Sequence, residues 1–488
     1  MAHQRPATVA VTRAPEGKLV PDAIGAAQDT IIGMANAAPG VSIGLTLAPL
    51  ALAAAYASGP VILLTAIPML VIANGYRRLN LWQANCGASF EWVGRAINPY
   101  LGFITGWLMI MGSLIGSTAG VVILAPSVLA IFGSNATSTW PNIIISTAVV
   151  LVMLVIAIVG IRLTARTQVG MGLIEYVILI GFAIAGLVLV LGHHPGTYPL
   201  TSEWFTLTGV GGKGNLAAGL LIAVFMYTGW DATVYVNEEV KRRHRNPGKA
   251  AILAVIFLAL IFTVCEIGLS GVVSPAKLQA NSASALVYVA GAMGGSGWAK
   301  VMALALALSV IASTGTGIVI IARMTYGMAS HRVLPTFLSN VSHRFSTPAA
   351  ASIVVSFVLI AVMWAYLLSG SIANAFTNLI DATGQLYIIF YVLTVLAAMV
   401  YYRRRIFRRA GDAIMIGILP ILSVILLVWI LAKSLVAAPS SQIWALVIVV
   451  GVGLLLMLSA RFIQRSPFFQ VPRESATAQP QESDMRDR

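Results

Sequence analysis

AGLLIAVFMYTGWDATVYVNEEVKRRHRNP, residues 218–247, begins as an unbroken apolar run and ends in Lys241-Arg242-Arg243-His244-Arg245. From Asn215 to Tyr227 the residues suit a membrane-spanning helix. Thr228, Gly229, Trp230 and Asp231 then place a backbone-loosening glycine and a carboxylate near the middle of the apolar layer. A charged side chain at that depth costs roughly 2.5–3.5 kcal/mol on insertion scales, so an acid there points to function. Backbone freed by the glycine is tolerated only where it lines a cavity or is buried in protein. These residues predict a broken helix at a solute site.

The rest of the composition agrees. Of 488 residues, 58% are apolar and 9% charged, too oily for a soluble chain of this length. The formal net charge of +14 has a topological origin, basic residues gathered in short loops between apolar spans, and is not read as nucleic-acid binding. Cys86 and Cys265 form no disulfide framework and have no metal-ligand spacing. No motif calls for a cofactor.

Twelve spans are expected, near 23–56, 60–76, 101–124, 143–161, 169–191, 215–236, 250–273, 298–322, 349–368, 372–401, 414–435 and 444–463. They form a transporter domain over 22–465, with cytoplasmic tails at 1–21 and 466–488. With the N-terminus inside, only Lys213, Lys277, Lys300 and Lys433 of the 30 lysines and arginines fall outside. Because such residues in short loops set orientation, both termini are expected in the cytoplasm and the chain in the cytoplasmic membrane.

The first apolar segment, 23–56, is too long for one straight span of about 20 residues. It is interrupted by Asn36-Ala37-Ala38-Pro39-Gly40, where proline removes a backbone donor and glycine permits unwinding. Spans 1 and 6 are therefore both broken. They correspond if the chain is two five-helix units, about 22–192 and 214–402, followed by two extra helices at about 412–464. Interrupted segments at matching positions in two halves point to a secondary transporter's binding site.

Over residues 20–465 the chain resembles the amino acid–polyamine–organocation (APC) permeases. The resemblance rests on Ala37-Ala38-Pro39-Gly40, Gly75-Tyr76-Arg77-Arg78-Leu79, the run from Gly87 to Arg95 before Gly102-Phe103 and Gly106-Trp107, Gly229 with Asp231, Glu238-Glu239 before Asn246-Pro247, and Arg323 to Pro335 with Thr347-Pro348. It implies an all-α integral membrane protein with a LeuT-like 5+5 inverted repeat. It also implies import or exchange of an amino acid or related amine. The family's first break usually reads Gly-Ser/Ala-Gly and holds the substrate carboxylate on free amides, whereas Pro39 supplies no donor. By the same resemblance Phe225 falls at a gating aromatic, Thr228 and Gly229 at unwound backbone, and Asp231 at a common acidic position. Trp230 is a second gating candidate, and Tyr227 joins the substrate set. The aromatic of helix 8 in some relatives would fall near Gly317, leaving the pocket roomier there. Taken singly, Phe225, Tyr227 and Trp230 are equally well read as packing aromatics.

Coupling to an ion gradient needs a titrating group or a bound cation. Glu175, two turns into the fifth span, aligns with a cation-surrogate position and is the expected proton carrier, against a purely structural carboxylate. Asp29, Glu266 and Asp381 are further acids in spans. Ser313 and Thr314 offer sodium ligands, although such hydroxyls also bond back to their own helix. His193-His194 lacks a third ligand and reads as a solvated loop pair. Gly209 to Gly214 lacks the end of a phosphate loop, and the arginines at 403–409 read as anchors touching anionic lipid. A channel would not explain single-site breaks, and an enzyme would need a clustered catalytic set. The expected partners are an amino acid or amine, H+ or else Na+, and membrane lipid. The competing substrate class is a nucleobase or nitrogen heterocycle, left open by Pro39.

Overall fold

The computed structural model of the chain describes residues 18–133, 139–211, 213–368 and 372–470. Most of the expected tails, 1–17 and 471–488, lies outside the described residues. Among those described there is no β-strand, only one isolated parallel bridge between Ile24 and Val240. The helices are α1 (Ala26–Ala37), α2 (Pro39–Ala54), α3 (Ser58–Trp82), α4 (Ala88–Ala96), α5 (Pro99–Val122), α6 (Leu124–Ile131), α7 (Thr139–Val159), α8 (Ile161–Leu191), α9 (Lys213–Tyr227) and α10 (Ala232–Tyr235). They continue with α11 (Asn246–Ser270), α12 (Pro275–Ala280), α13 (Ala285–Gly294), α14 (Ser296–Ser330), α15 (Ala349–Leu368), α16 (Ile372–Tyr401), α17 (Arg403–Ile406), α18 (Ala410–Asp412), α19 (Leu419–Ala437) and α20 (Ser440–Leu458).

Eleven stretches of the described residues are long and apolar enough to cross a membrane. The first, Ala26–Trp82, is 57 residues long. At 1.5 Å per residue it measures about 85 Å, against a hydrocarbon core of about 30 Å, and it contains both of the first two expected spans. The chain is a multi-pass, all-helical membrane protein. Burial separates inner from outer helices: 94% of the apolar stretch in Asn215–Tyr235 is buried, against 17% in Ser440–Ile463. The broken segment is thus the enclosed centre, and the last helices form an exposed rim.

Three boundaries differ from the sequence expectation. The loop expected between the fourth and fifth spans is only Gly160, whose φ of 136° turns the chain straight from α7 into α8. Arg162 and Arg166, read as loop residues, sit exposed on the first turns of α8, whose Ile161, Thr164, Ala165 and Gln168 are buried at helical spacing. α14 likewise runs on to Ser330. The tail expected from residue 466 is packed at its start. Ser466 Oγ donates to the His331 carbonyl (2.6 Å), and the buried Phe468 ring stacks on Phe90 at 4.3 Å between centroids. An apolar side chain with a slot to fill orders a segment whose polar surroundings suggest none.

One end of the bundle, which carries the described chain ends, is tightly closed. Arg323 on α14 donates from Nε to Glu239 Oε2 (2.5 Å), both side chains fully buried. The Ala23 and Ile24 amides donate to the Glu239 carbonyl (2.8 and 3.1 Å), and the Lys241 amide donates to the Ile24 carbonyl (2.9 Å). Asn237 Nδ2 donates to Asn80 Oδ1 (2.9 Å), and the Cys86 amide donates to Glu238 Oε1 (2.9 Å). The chain start, α3, α14 and the loop after α10 therefore meet in one network.

Candidate functional site

The first break lies between α1 and α2. Ala38 adopts a left-handed conformation (φ 48°, ψ 70°), and Pro39 opens α2 as its first residue. The preceding residue of an X-Pro pair is disfavoured in the α region, so α1 cannot run on. The second break spans Thr228 to Asp231 between α9 and α10, with Gly229 at φ 107°. The breaks touch: Asn36 Nδ2 donates to the Gly229 carbonyl at 3.2 Å. A Cβ on Gly229 would sit 2.7 Å from Asn36 Nδ2 and 2.8 Å from the Ala37 nitrogen. Glycine is therefore required by close approach as well as by φ.

A cavity of about 50 Å³ lies against the two breaks. Asn36, Ala37, Ala38, Val41 and Ser42 line it from the first, Phe225 and Thr228 from the second. Ser113, Gly116, Ser117 and Gly120 of α5, Ser313 of α14, and Thr383 and Tyr387 of α16 complete the wall. The wall is rich in hydroxyls and carries no charged side chain. Several hydroxyls are fixed by their own backbone: Ser42 donates to the Ala37 carbonyl (2.7 Å), Thr228 to Phe225 (2.7 Å), Ser313 to Val310 (3.1 Å) and Thr383 to Leu379 (2.7 Å). Ser113 and Tyr387 share a hydrogen bond of 3.0 Å.

Other expected site residues lie off this wall. The Tyr227 hydroxyl donates to the Ile62 carbonyl (3.3 Å), and its ring meets Phe262 edge-on. Trp230 is fully buried, edge-on to Tyr76 and stacked on Tyr391. Asp231 accepts a 2.9 Å hydrogen bond from the Tyr391 hydroxyl, which holds the unwound segment to α16. Pro39 and Gly40 are not on the cavity wall. The Gly40 amide donates to Glu175 Oε1 at 2.7 Å, and the Val41 amide donates to Ser309 Oγ at 3.2 Å. Thr314 is buried and is not on the cavity wall. Gly317 leaves no extra room, because a Cβ there would be 2.8 Å from Ser117 Oγ: α5 fills that space. Asp29 and Glu266 are fully buried with no protein hydrogen-bond partner, and Asp381 is part-buried. No cluster of three or more metal-ligating side chains occurs among the described residues.

The sequence reading missed the α5 and α16 walls. Its signal was available: residues 113, 116, 117 and 120 are small, and they recur at helical spacing within an apolar helix. Thr383, Tyr387 and Tyr391 recur every four residues on one face of α16.

The family model of amino acid permeases matches residues 29–458 of this chain. The chain belongs to the amino acid permease family. Among its relatives, the D-serine/D-alanine/glycine transporter of Escherichia coli O6:H1 is 23% identical over 63% of the permease and 65% of the relative's length, just under two thirds. The Asc-type amino acid transporter 1 of Mus musculus is 22% identical over 79% of the permease and 69% of its own length. The vacuolar cationic amino acid transporter 4 of Arabidopsis thaliana is 21% identical over 56% and 46%. The permease thus has its two breaks and its hydroxyl-lined cavity inside the matched region.

Proposed function

We propose that this permease moves small amino acids with uncharged side chains across the cytoplasmic membrane by alternating access. The observation that carries the reading is the cavity wall, which meets both breaks, offers hydroxyls and one side-chain amide, and holds no charge. Its volume of about 50 Å³ is small, which favours a small solute over a bulky one. A cationic or acidic side chain would enter without a counter-charge, an uncompensated desolvation. The bacterial relative's name, a transporter of D-serine, D-alanine and glycine, supports the same class.

The two breaks suit a 5+5 inverted repeat in which α1–α2 and α9–α10 rock against the rest, with Phe225 closing over the solute. The scarcity of lysine and arginine in the loops expected outside, only Lys213, Lys277, Lys300 and Lys433, supports an orientation with the closed, arginine-rich end on the cytoplasmic side. Glu175, whose carboxylate reaches the first break, is the proton carrier in this reading. Sodium is the alternative carrier, through Ser313 and Thr314.

The test is competition for labelled alanine uptake into proteoliposomes, under an inward pH gradient and in sodium-free buffer. Glycine and serine are expected to compete, while arginine, glutamate, putrescine and uracil are not. Phe225→Ala is expected to lower retention of bound alanine while leaving the protein monodisperse. Uptake competed best by putrescine or uracil would overturn the substrate class, and a strict need for sodium would move the coupling to Ser313 and Thr314.

A further inference from the structure

The N-terminus of α2 is held by the protein's own carboxylate. Pro39 has no amide hydrogen, Gly40 donates to Glu175 Oε1, and Val41 donates to Ser309 Oγ. The next amide, of Ser42, returns to the Ala38 carbonyl at 2.8 Å. Glu175 is fully buried, and its second oxygen, Oε2, has no protein partner. An ionised carboxylate in this place cancels the partial positive charge of the half-helix.

That cancellation matters to the cavity, because Ala38, Val41 and Ser42 of the same helix end line it. The C-terminal ends of α1 and α9, at Ala37 and Tyr227, also converge there, and each brings partial negative charge. With Glu175 ionised, the local field therefore favours an ammonium group and opposes a carboxylate. The cavity has no lysine or arginine to correct this.

We propose that Glu175 is an internal stand-in for the carboxylate of the transported amino acid. Ionised, it holds the N-terminus of α2. When it takes up a proton, the positive end of α2 becomes effective in the cavity and supports the substrate's carboxylate. Proton and amino acid then bind together, and each strengthens the other by the same factor. The inference rests on the amino acid reading above and assigns its coupling to a charge exchange at one helix end.

Other ionisable groups on the elements packed around Glu175 are few. α8 itself carries Tyr176 beside it and Arg162 and Arg166 at its exposed start; α11 brings Cys265 and Glu266, with Lys249 in its first turn; α1 brings Asp29. α13 carries Tyr288, and α14 carries Lys300 near its start and Arg323 and Tyr326 near its end, Arg323 paired with Glu239. Neither α2 nor α7 carries a charged residue. No cationic side chain is hydrogen-bonded to Glu175, whose charge is met by the Gly40 amide of α2 and the Ser309 hydroxyl of α14.

The experiment measures binding of alanine, and of ethylamine as the analogue without a carboxylate, to the purified full chain in lipid nanodiscs across a pH series. Proton uptake is counted in weak buffer. For the parent protein, alanine affinity is expected to rise on acidification by a factor within the usual 5- to 150-fold range of coupling between sites, with uptake of close to one proton. Ethylamine should show the opposite trend or none. Glu175→Gln, which cannot ionise, should bind alanine tightly with no pH dependence, and Glu175→Asp should restore the dependence. A pH-dependent Glu175→Gln protein overturns the stand-in role while leaving the substrate reading intact. Absence of alanine binding by the parent at every pH overturns both. Should Glu175→Gln fail to fold, proton counting on the parent decides alone, since alanine binding without proton uptake contradicts the exchange.

Discussion

Arg323→Met is expected to destabilise the permease by about 3–5 kcal/mol, the usual result of removing one partner of a buried ion pair. Arg323 and Glu239 are both fully buried, and the bond between them ties α14 to the loop after α10. That loop in turn holds Ala23 and Ile24 through the Glu239 carbonyl. Methionine replaces the stem of the arginine but leaves the Glu239 carboxylate in an apolar setting with no counter-charge. Glu239→Gln should offset much of the loss when combined with Arg323→Met, because the orphaned charge is then gone. Neither change alone predicts that recovery, so a double-mutant cycle isolates the pair. The readout is the thermal midpoint of the folded, monodisperse fraction in detergent. A single substitution costing under about 1 kcal/mol, the value typical of exposed pairs, would show that water reaches this contact.

The architecture was legible where covalent geometry forces it. Pro39 and Gly229 disrupt helices by local rules, so the two breaks could be read from the chain alone, as could the apolar spans around them. What those rules do not contain is the neighbour. Trp230 and Phe225 look equivalent along the chain, yet Trp230 packs between Tyr76 and Tyr391 while Phe225 faces the cavity. The difference lies in which side of the unwound segment each occupies, and a glycine at φ 107° removes the periodicity that would have told them apart. Gly317 misled for a similar reason. Lack of a side chain suggested space, but the space is taken by Ser117 on α5, far away in sequence. Arg162 and Arg166 fall between the expected spans 143–161 and 169–191 because the apolar run pauses there; the helix continues through them, and both side chains are exposed without a break. Glu175 was found by resemblance, but its partner was not, since no sequence rule pairs it with the Gly40 amide.

Gly229→Ala is expected to reduce transport sharply. Alanine would have to hold φ near 107°, a region that non-glycine residues rarely occupy, and such strain costs of order 1–3 kcal/mol. The added Cβ would also meet Asn36 Nδ2 at 2.7 Å and the Ala37 nitrogen at 2.8 Å. The latter is backbone and cannot rotate away. Relief requires the two breaks to separate, which removes the hydrogen bond from Asn36 to the Gly229 carbonyl and shifts Asn36, Ala37 and Thr228 on the cavity wall. If the strain is released by leaving the site misformed, affinity should fall about 5- to 150-fold, at about 1.4 kcal/mol per tenfold. Gly219→Ala, within α9 before the break, is the matched control. There a Cβ finds Val61 at 3.5 Å and Ala54 at 3.7 Å, ordinary van der Waals distances, and better helix propensity should leave stability unchanged or slightly raised. Alanine binding and uptake, compared for the two variants at equal monodisperse yield, separate damage to the site from damage to the fold. Uptake by Gly229→Ala equal to that of Gly219→Ala would mean that the contact between the breaks is dispensable and that the solute is held elsewhere.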